Sequence, residues 1–472
     1  MENFVQAVRD AGYLSLSTAL AELVDNSIEA EAHRIDINIS KASGQSHPEV
    51  RVVDDGHGMT ASELRDCLRF GGTSRFNRRE SFGRFGMGLP TASLSQARRV
   101  DVVSWAQGLR PGKVTLDVDE VGRSCAGSCL TPEDEQYLNG ASGCAITWTR
   151  CDRIEGRRIG SAEKAVRRDL GRMYRHFLAD GLTITLNGVD IEPVDPLMLA
   201  TVIDGHSAEQ VFDTLTYGLA APEGACSTVT VRFSLLPVAA WHGLDNATKK
   251  QRGIVGDGGV SVLRAGREVA RGWYLMGAKR KENYDDWWRC EISFEPALDE
   301  YFGITINKQG IRPTQTLRDA LEPQLETIAR MLNAKVRQLF EDVKFQEATQ
   351  ASCRIAAAAD CDLPVIEPGR CPDGPLAYRI GSQPLPDATM FHTDLKGRTL
   401  NVTFNVDHPA FTALYRPLQT RTDGSAIDLR TAIELLVLSF ARTTALLGRT
   451  GTEYESLLSS WSAAYGRMLQ RT

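Results

Sequence analysis

Glu22 and Asn26 stand four residues apart in the stretch Ala19-Leu-Ala-Glu22-Leu-Val-Asp25-Asn26-Ser-Ile-Glu29-Ala. On a helix this spacing brings them within about 40° of each other. Leu20, Leu23, Val24 and Ile28 gather on the opposite side, so one face packs while the other presents a carboxylate and a carboxamide together. Alone, such a pair is an ordinary solvated face. Further on, Val53-Asp54-Asp55-Gly56-His57-Gly58-Met59 ends a strand in a tight turn. A carboxylate there can accept a hydrogen bond from an exocyclic amine, and the glycines let a ligand come close. A third phrase joins Phe70-Gly-Gly-Thr73-Ser74-Arg75 to Ser81-Phe-Gly83-Arg84-Phe85-Gly86-Met87-Gly88-Leu-Pro90. Glycines opening a helix offer backbone N–H groups that cradle phosphates, with the helix N-terminus behind them.

The elements that position these groups follow from periodicity. Residues 18–31 read as a helix, and the alternation of Ile35, Ile37 and Ile39 predicts a strand, as does Val50, Val52 and Val53. A short helix capped by Thr60 or Ser62 follows. Strands are expected near residues 100–105, 114–118 and 145–149, then a helix over 161–178 and a hairpin turning at Asn187-Gly188. Beyond it, residues 227–236, 260–263 and 291–294 read as strands before a long helix after Pro313. Residues 363–386 are rich in Pro and Gly and read as a linker or irregular loop; a strand near 400–406 and a helix from Ile427 come after it. No glycine-rich turn follows the first strand and no GxxxxGK[ST] is present, which excludes a dinucleotide fingerprint and a P-loop.

The chain has 472 residues, 42% of them hydrophobic and 24% charged, with Lys+Arg 54 against Asp+Glu 60, a net charge of −6. That is the balance of an ordinary globular protein and argues against one that coats nucleic acid over its whole surface, leaving room for local basic patches. No apolar run is long enough to span a membrane. The first ten residues show no basic segment leading into an apolar one, so a cytoplasmic protein is expected. The ten cysteines are scattered, and the CxxxC pair Cys125 and Cys129 has no second pair to complete a zinc set, which predicts reduced thiols.

Taken together and in this order, ELVDNSIEA, DDGHGM and GRFGMG resemble the three nucleotide-binding boxes of the GHKL ATPase superfamily. That superfamily includes gyrase B, the 90-kDa heat-shock chaperones, histidine kinases, MutL and the MORC proteins. The phrases are most similar to those of MORC proteins, and prokaryotic-style minimal members in particular. The resemblance implies an α+β fold: a Bergerat-type two-layer α/β sandwich over residues 1–202, a transducer-like α/β domain over 203–345, and a smaller mixed or helical domain over 346–472 that serves dimerisation or an unknown role.

The resemblance also implies roles. Glu22 would orient or deprotonate the attacking water, and Asn26 would ligate Mg2+. Asp54 would accept from the adenine amino group, with Gly56, Gly58 and Met59 beside the base. Thr73, Ser74, Gly83, Arg84, Phe85, Gly86, Met87 and Gly88 would wrap the phosphates of ATP, and Thr147 would contact the nucleotide from a later strand. Lys308, in Asn307-Lys308-Gln309, would be the transducer lysine that meets the γ-phosphate. Two departures stand out. Cys144 occupies the place of a usual Thr, and Pro90 replaces a usual Lys. The function implied is a Mg-dependent ATPase acting as an ATP-gated homodimeric clamp on DNA, in chromosome handling or defence against foreign DNA. Lys249, Lys250, Arg252, Lys279, Arg280 and Lys281 would line a basic groove. The alternatives are a chaperone-like clamp on protein clients and a nucleotide-sensing subunit of a partner protein.

Overall fold

Ser15 accepts a hydrogen bond from the Thr18 backbone N–H (3.2 Å) and caps helix α1, Leu16–Glu29, satisfying a donor that every helix start leaves open. In the computed structural model α1 fully buries Leu20, Leu23 and Val24, the side expected to pack. The structure describes residues 6, 9–10, 12–13, 15–41, 47–71, 87–120, 127–128, 130–154, 159–221, 224, 226–304, 310–363, 376–419, 421, 423–446, 458–459 and 462. Two compact units divide the chain, Met1–Asn333 and Ala334–Thr472.

The first unit is built on two sheets. Strands β1 (Arg34–Ser40), β2 (Glu49–Asp54), β3 (Arg99–Trp105), β4 (Gly112–Asp117), β5 (Gly127–Ser128), β6 (Gly143–Thr149), β7 (Thr183–Leu186) and β8 (Val189–Asp190) form an eight-stranded sheet in the order β5-β4-β3-β6-β2-β1-β7-β8. Its neighbours are antiparallel except for the β1–β7 pair. Thr60 caps α2 (Ala61–Asp66) with a reciprocal capping box to Glu63. Helices α1, α3 (Gly88–Gln96) and α4 (Ile159–Met173) cover one face, over a core that includes Val50, Val52, Val100, Val102, Ile146 and Trp148. Val103, Trp105 and Ala145 form a smaller cluster on the other face with Leu130, Tyr137 and Leu138. This is the expected α+β sandwich.

Asn187 and Gly188 take φ of 52° and 74° between β7 and β8, the left-handed pair that a two-residue hairpin requires. The single helix expected over 161–178 is instead α4 followed by α5 (Arg175–Ala179), interrupted at Tyr174. At that residue the chain is held by distant partners. The Tyr174 hydroxyl sits between the Ala21 carbonyl (2.6 Å) and Asp25 Oδ1 (2.7 Å), both on α1.

The second sheet comprises β9 (Glu209–Gln210), β10 (Leu215–Ala220), β11 (Cys226–Leu235), β12 (Gly259–Arg264), β13 (Arg267–Gly272) and β14 (Trp288–Phe294). Its order is β10-β11-β14-β12-β13, with β9 paired to β11. Charged side chains join it to the helices of the first sheet. Arg267 Nε lies 2.7 Å from Asp25 Oδ1, and Glu268 accepts from Arg172 (2.8 Å) and Arg175 (3.2 Å). Arg175 also reaches Glu291 (2.6 Å). All of these side chains are buried. Burial alone would push the Glu291 carboxyl up, but donors on His176, Arg175 and Arg232 outweigh it and hold the group well below the usual carboxylate range.

The basic groove needs one correction. Lys279 is buried and bound to Asp285 at 2.7 Å, so it is a core counter-ion and does not face a ligand. Lys250, Arg252, Arg280 and Lys281 are exposed. The long helix expected after Pro313 is α6, Gln315–Ala359.

In the second unit, β15 (Ala377–Gln383), β16 (Phe391–Lys396) and β17 (Thr399–Asn405) form a sheet in the order β15-β17-β16, with β15 parallel to β17. Strand β15 lies inside the stretch expected to be an irregular linker. Ile380 is fully buried on it, an apolar anchor that the surrounding prolines and glycines obscured. Helix α7 (Gly424–Leu446) contributes Val437, Leu438 and Ala441 to this core. Among the described residues no helix is long and apolar enough to cross a membrane, and no disulfide joins the described cysteines.

Candidate active site

Glu22 projects from the middle of α1 and is only 4% exposed. Its Oε2 accepts a hydrogen bond from the Tyr13 hydroxyl at 3.1 Å. The carboxylate faces the first residue of α3. A Cβ placed on Gly88 would lie 1.9 Å from Glu22 Oε1 and 2.6 Å from its Cδ, so the glycine is what allows the two helices to meet there. Met87, the residue before it, provides no side-chain cap. The first turn of a helix carries N–H groups without intrahelical acceptors and the positive end of the helix dipole. Pro90 fits this turn because its missing N–H falls among those unpaired positions.

Asn26 follows Glu22 by one turn of α1 and is half-buried. Ser27 comes next, and its hydroxyl donates to Asp54 Oδ2 at 2.8 Å. The Gly56 N–H donates to the other oxygen of Asp54 at 3.0 Å. Burial pushes the Asp54 carboxyl up from its ordinary value, against the pull of the Ser27 and Gly56 donors. One helix and the end of its neighbouring strand are thus tied together by a carboxylate. Asp55 points elsewhere and accepts from the His33 and Arg34 backbones, a structural tie to β1.

Gly58 has φ of 71°, and a Cβ there would fall 2.0 Å from the Trp105 carbonyl. Its place in the motif is therefore required by the packing of the turn on β3. Met59 is held by its backbone N–H, which donates to Ser104 Oγ at 2.8 Å. His57 is exposed.

Residues 14–140 match the family model described as histidine kinase-, DNA gyrase B- and HSP90-like ATPase. This chain carries a GHKL-type ATPase domain. Among curated proteins it is similar to MICRORCHIDIA 5 of Arabidopsis thaliana, 30% identical over 105 residues, which is 21% of this chain and 15% of that protein. It is also similar to the DNA mismatch repair protein MutL of Acidiphilium cryptum, 28% identical over 213 residues, 42% of this chain and 34% of that one. The matched stretches thus span about a third or less of these relatives. A solved structure described as the N-terminal domain of a DNA repair protein aligns over 69% of this chain and 98% of its own, at 13% identity and a TM-score of 0.44.

Within the GHKL domain the structure sets Asp54 and Gly56 against α1, which carries Glu22 and Asn26, and seats Gly88, next to Met87, on Glu22; Gly58 and Met59 pack on the end of β3. It does not bring Thr147 to them. Asp54 pairs with Cys144 in the β2–β6 register, and Thr147 pairs with Arg51. Side chains three residues apart on a strand point to opposite faces. Thr147 therefore lies on the far face, where its hydroxyl accepts from Arg51 Nε at 3.3 Å. Cys144, buried beside Asp54, is the strand residue on the site's face, and burial pushes its thiol well up. Thr73, Ser74, Gly83, Arg84, Phe85, Gly86 and Lys308 lie outside the described residues.

Two contributors escaped the sequence reading. Ser27 stood inside the motif, and its position after Asn26 was the available signal. Tyr13 carried none, since nothing in the spacing upstream of the helix ties it to Glu22.

Proposed function

We propose that this chain binds ATP with Mg2+, hydrolyses it to ADP and phosphate, and uses the cycle to close and open a homodimeric clamp on DNA. The observation that carries the reading is the contact of Glu22 with Gly88. A carboxylate able to accept a proton is seated against the first turn of a helix, where the free N–H groups favour phosphate. In this reading Glu22 takes the proton of the attacking water. Asp54 accepts from the adenine amino group, which selects ATP over GTP. Gly56, Gly58 and Met59 shape the turn beside the base. Thr73, Ser74, Gly83, Arg84, Phe85, Gly86 and Met87 close around the phosphates, and Lys308 meets the terminal one, where an ammonium offsets charge as it leaves.

The half-buried amide of Asn26, one helical turn from the base, is a hard neutral oxygen donor and suits Mg2+, whose other ligands would be phosphate and water. When bound, the ion supplies charge neutralisation to the phosphates. Replacing Gly88 by alanine tests the carrying contact directly. The added methyl would fall 1.9 Å from Glu22 Oε1 and push that carboxylate aside, so turnover is expected to fall about tenfold or more while the fold persists. Unchanged turnover in that variant would remove the contact from the mechanism.

The DNA clamp draws support from MutL relatives whose name describes DNA mismatch repair and from the exposed Lys250, Arg252, Arg280 and Lys281. Sizing with a non-hydrolysable ATP analogue is expected to give a dimer, and the dimer is expected to retain circular DNA in a salt-dependent way. A monomer under all nucleotide conditions rejects the clamp. A dimer that ignores DNA at low salt favours a chaperone-like client instead.

A further inference from the structure

Tyr13 stands outside the motifs, yet its hydroxyl lies 3.1 Å from Glu22 Oε2. The residue is 6% exposed. Its backbone carbonyl accepts from Gln96 Nε2 at 3.0 Å, at the far end of the helix that begins at Gly88. Upstream, buried Arg9 binds Asp152 at 2.7 Å and donates to the Ala97 carbonyl at 3.0 Å. Arg153 returns a bond to Asp10. Residues 9, 10 and 13 are thus pinned to the end of α3 and to the turn after β6, and Tyr13 reaches from this anchored segment to Glu22.

We propose that Tyr13 is a positioning residue for Glu22. Its hydroxyl donates to Oε2 and so holds the carboxylate in one orientation, with Oε1 toward Gly88, for taking the proton of the attacking water. This rests on the assignment of Glu22 as the base given above. The two oxygens are distinct in the structure, since Oε2 is the one held by Tyr13 and Oε1 is the one nearest Gly88. A phenol suits the task because it donates one hydrogen bond and carries no charge to compete for the water. Burial and the neighbouring carboxylate push the Tyr13 hydroxyl far above its ordinary value, so it keeps its proton throughout the working range. A carboxylate on a helix has rotamers to choose from, and a base displaced by about 1 Å loses much of its effect. The anchored segment removes that freedom.

The test is Tyr13→Phe in the full chain, which keeps the ring in the core and deletes only the donor. The expected result is a fall in kcat of about tenfold, with ATP affinity within about twofold and the unfolding midpoint near that of the parent. In a Glu22→Gln background the same change is expected to do nothing more, since both act through one group. Arg9→Ala, which loosens the anchor and leaves the pocket untouched, is expected to lower kcat without altering KM. It should add nothing to Tyr13→Phe, and it keeps the idea testable if the phenylalanine variant folds poorly. Unchanged kcat in Tyr13→Phe overturns the proposal, as does an equal proportional loss with Glu22 already replaced. Full turnover in Glu22→Gln alone would instead reject the base itself, whatever Tyr13 does.

Discussion

Glu22→Gln is expected to reduce steady-state ATP turnover at least ~100-fold, the scale on which a positioned general base contributes, while ATP binding survives. Glutamine keeps the shape of the side chain, so the packing against Gly88 and the acceptor for Tyr13 are retained. What it loses is the capacity to take a proton. Binding is measured by equilibrium titration with a fluorescent ATP analogue, and turnover by phosphate release. Asn26 and Asp54 are untouched in this variant, so the nucleotide keeps its cation ligand and its adenine acceptor in the proposed site. Turnover at the parental rate would mean that some other group accepts the proton. Loss of binding together with turnover would assign Glu22 to the ground state.

The largest effect on stability is expected at Asp25. This carboxylate is 1% exposed and has the Arg267 guanidinium at 2.7 Å and the Tyr174 hydroxyl at 2.7 Å. Taking away one member of a buried ion pair strands the other, a loss of about 3–5 kcal/mol. Asp25→Ala should lower the denaturant midpoint of the full chain by a corresponding amount. Removing both charges with apolar residues of similar volume, as in Asp25→Leu combined with Arg267→Met, should restore most of the loss, because no charge then remains without its partner. Equal destabilisation by the single and double changes would locate the effect in shape and not in charge.

The sequence made helix α1 legible because its information is local. Ser15, the apolar run of Leu20, Leu23 and Val24, and the polar pair Glu22 and Asn26 all lie within one element. The same holds for the Thr60 cap and the Asn187-Gly188 turn, where two or three neighbours decide the backbone. Thr147 failed on parity. It lies three positions from Cys144, an odd step on a strand, and the alternation places it on the face with Arg51. The break at Tyr174 was hidden because its cause, a bond to Asp25, sits 149 residues away in the chain. Strand β15 was masked by composition, since prolines and glycines on its flanks outweighed Ile380. Tyr13 reaches Glu22 through an irregular segment, and no period relates the two.

The Asp25–Arg267 contact bears on how this protein can be divided. Helix α1 supplies Asp25 and strand β13 supplies Arg267, 242 residues apart in the chain. An excised fragment ending after the first sheet would present Asp25, Tyr174, Arg172 and Arg175 to water or to one another with their counter-ions deleted. A cut between the two sheets therefore separates buried charges from their partners.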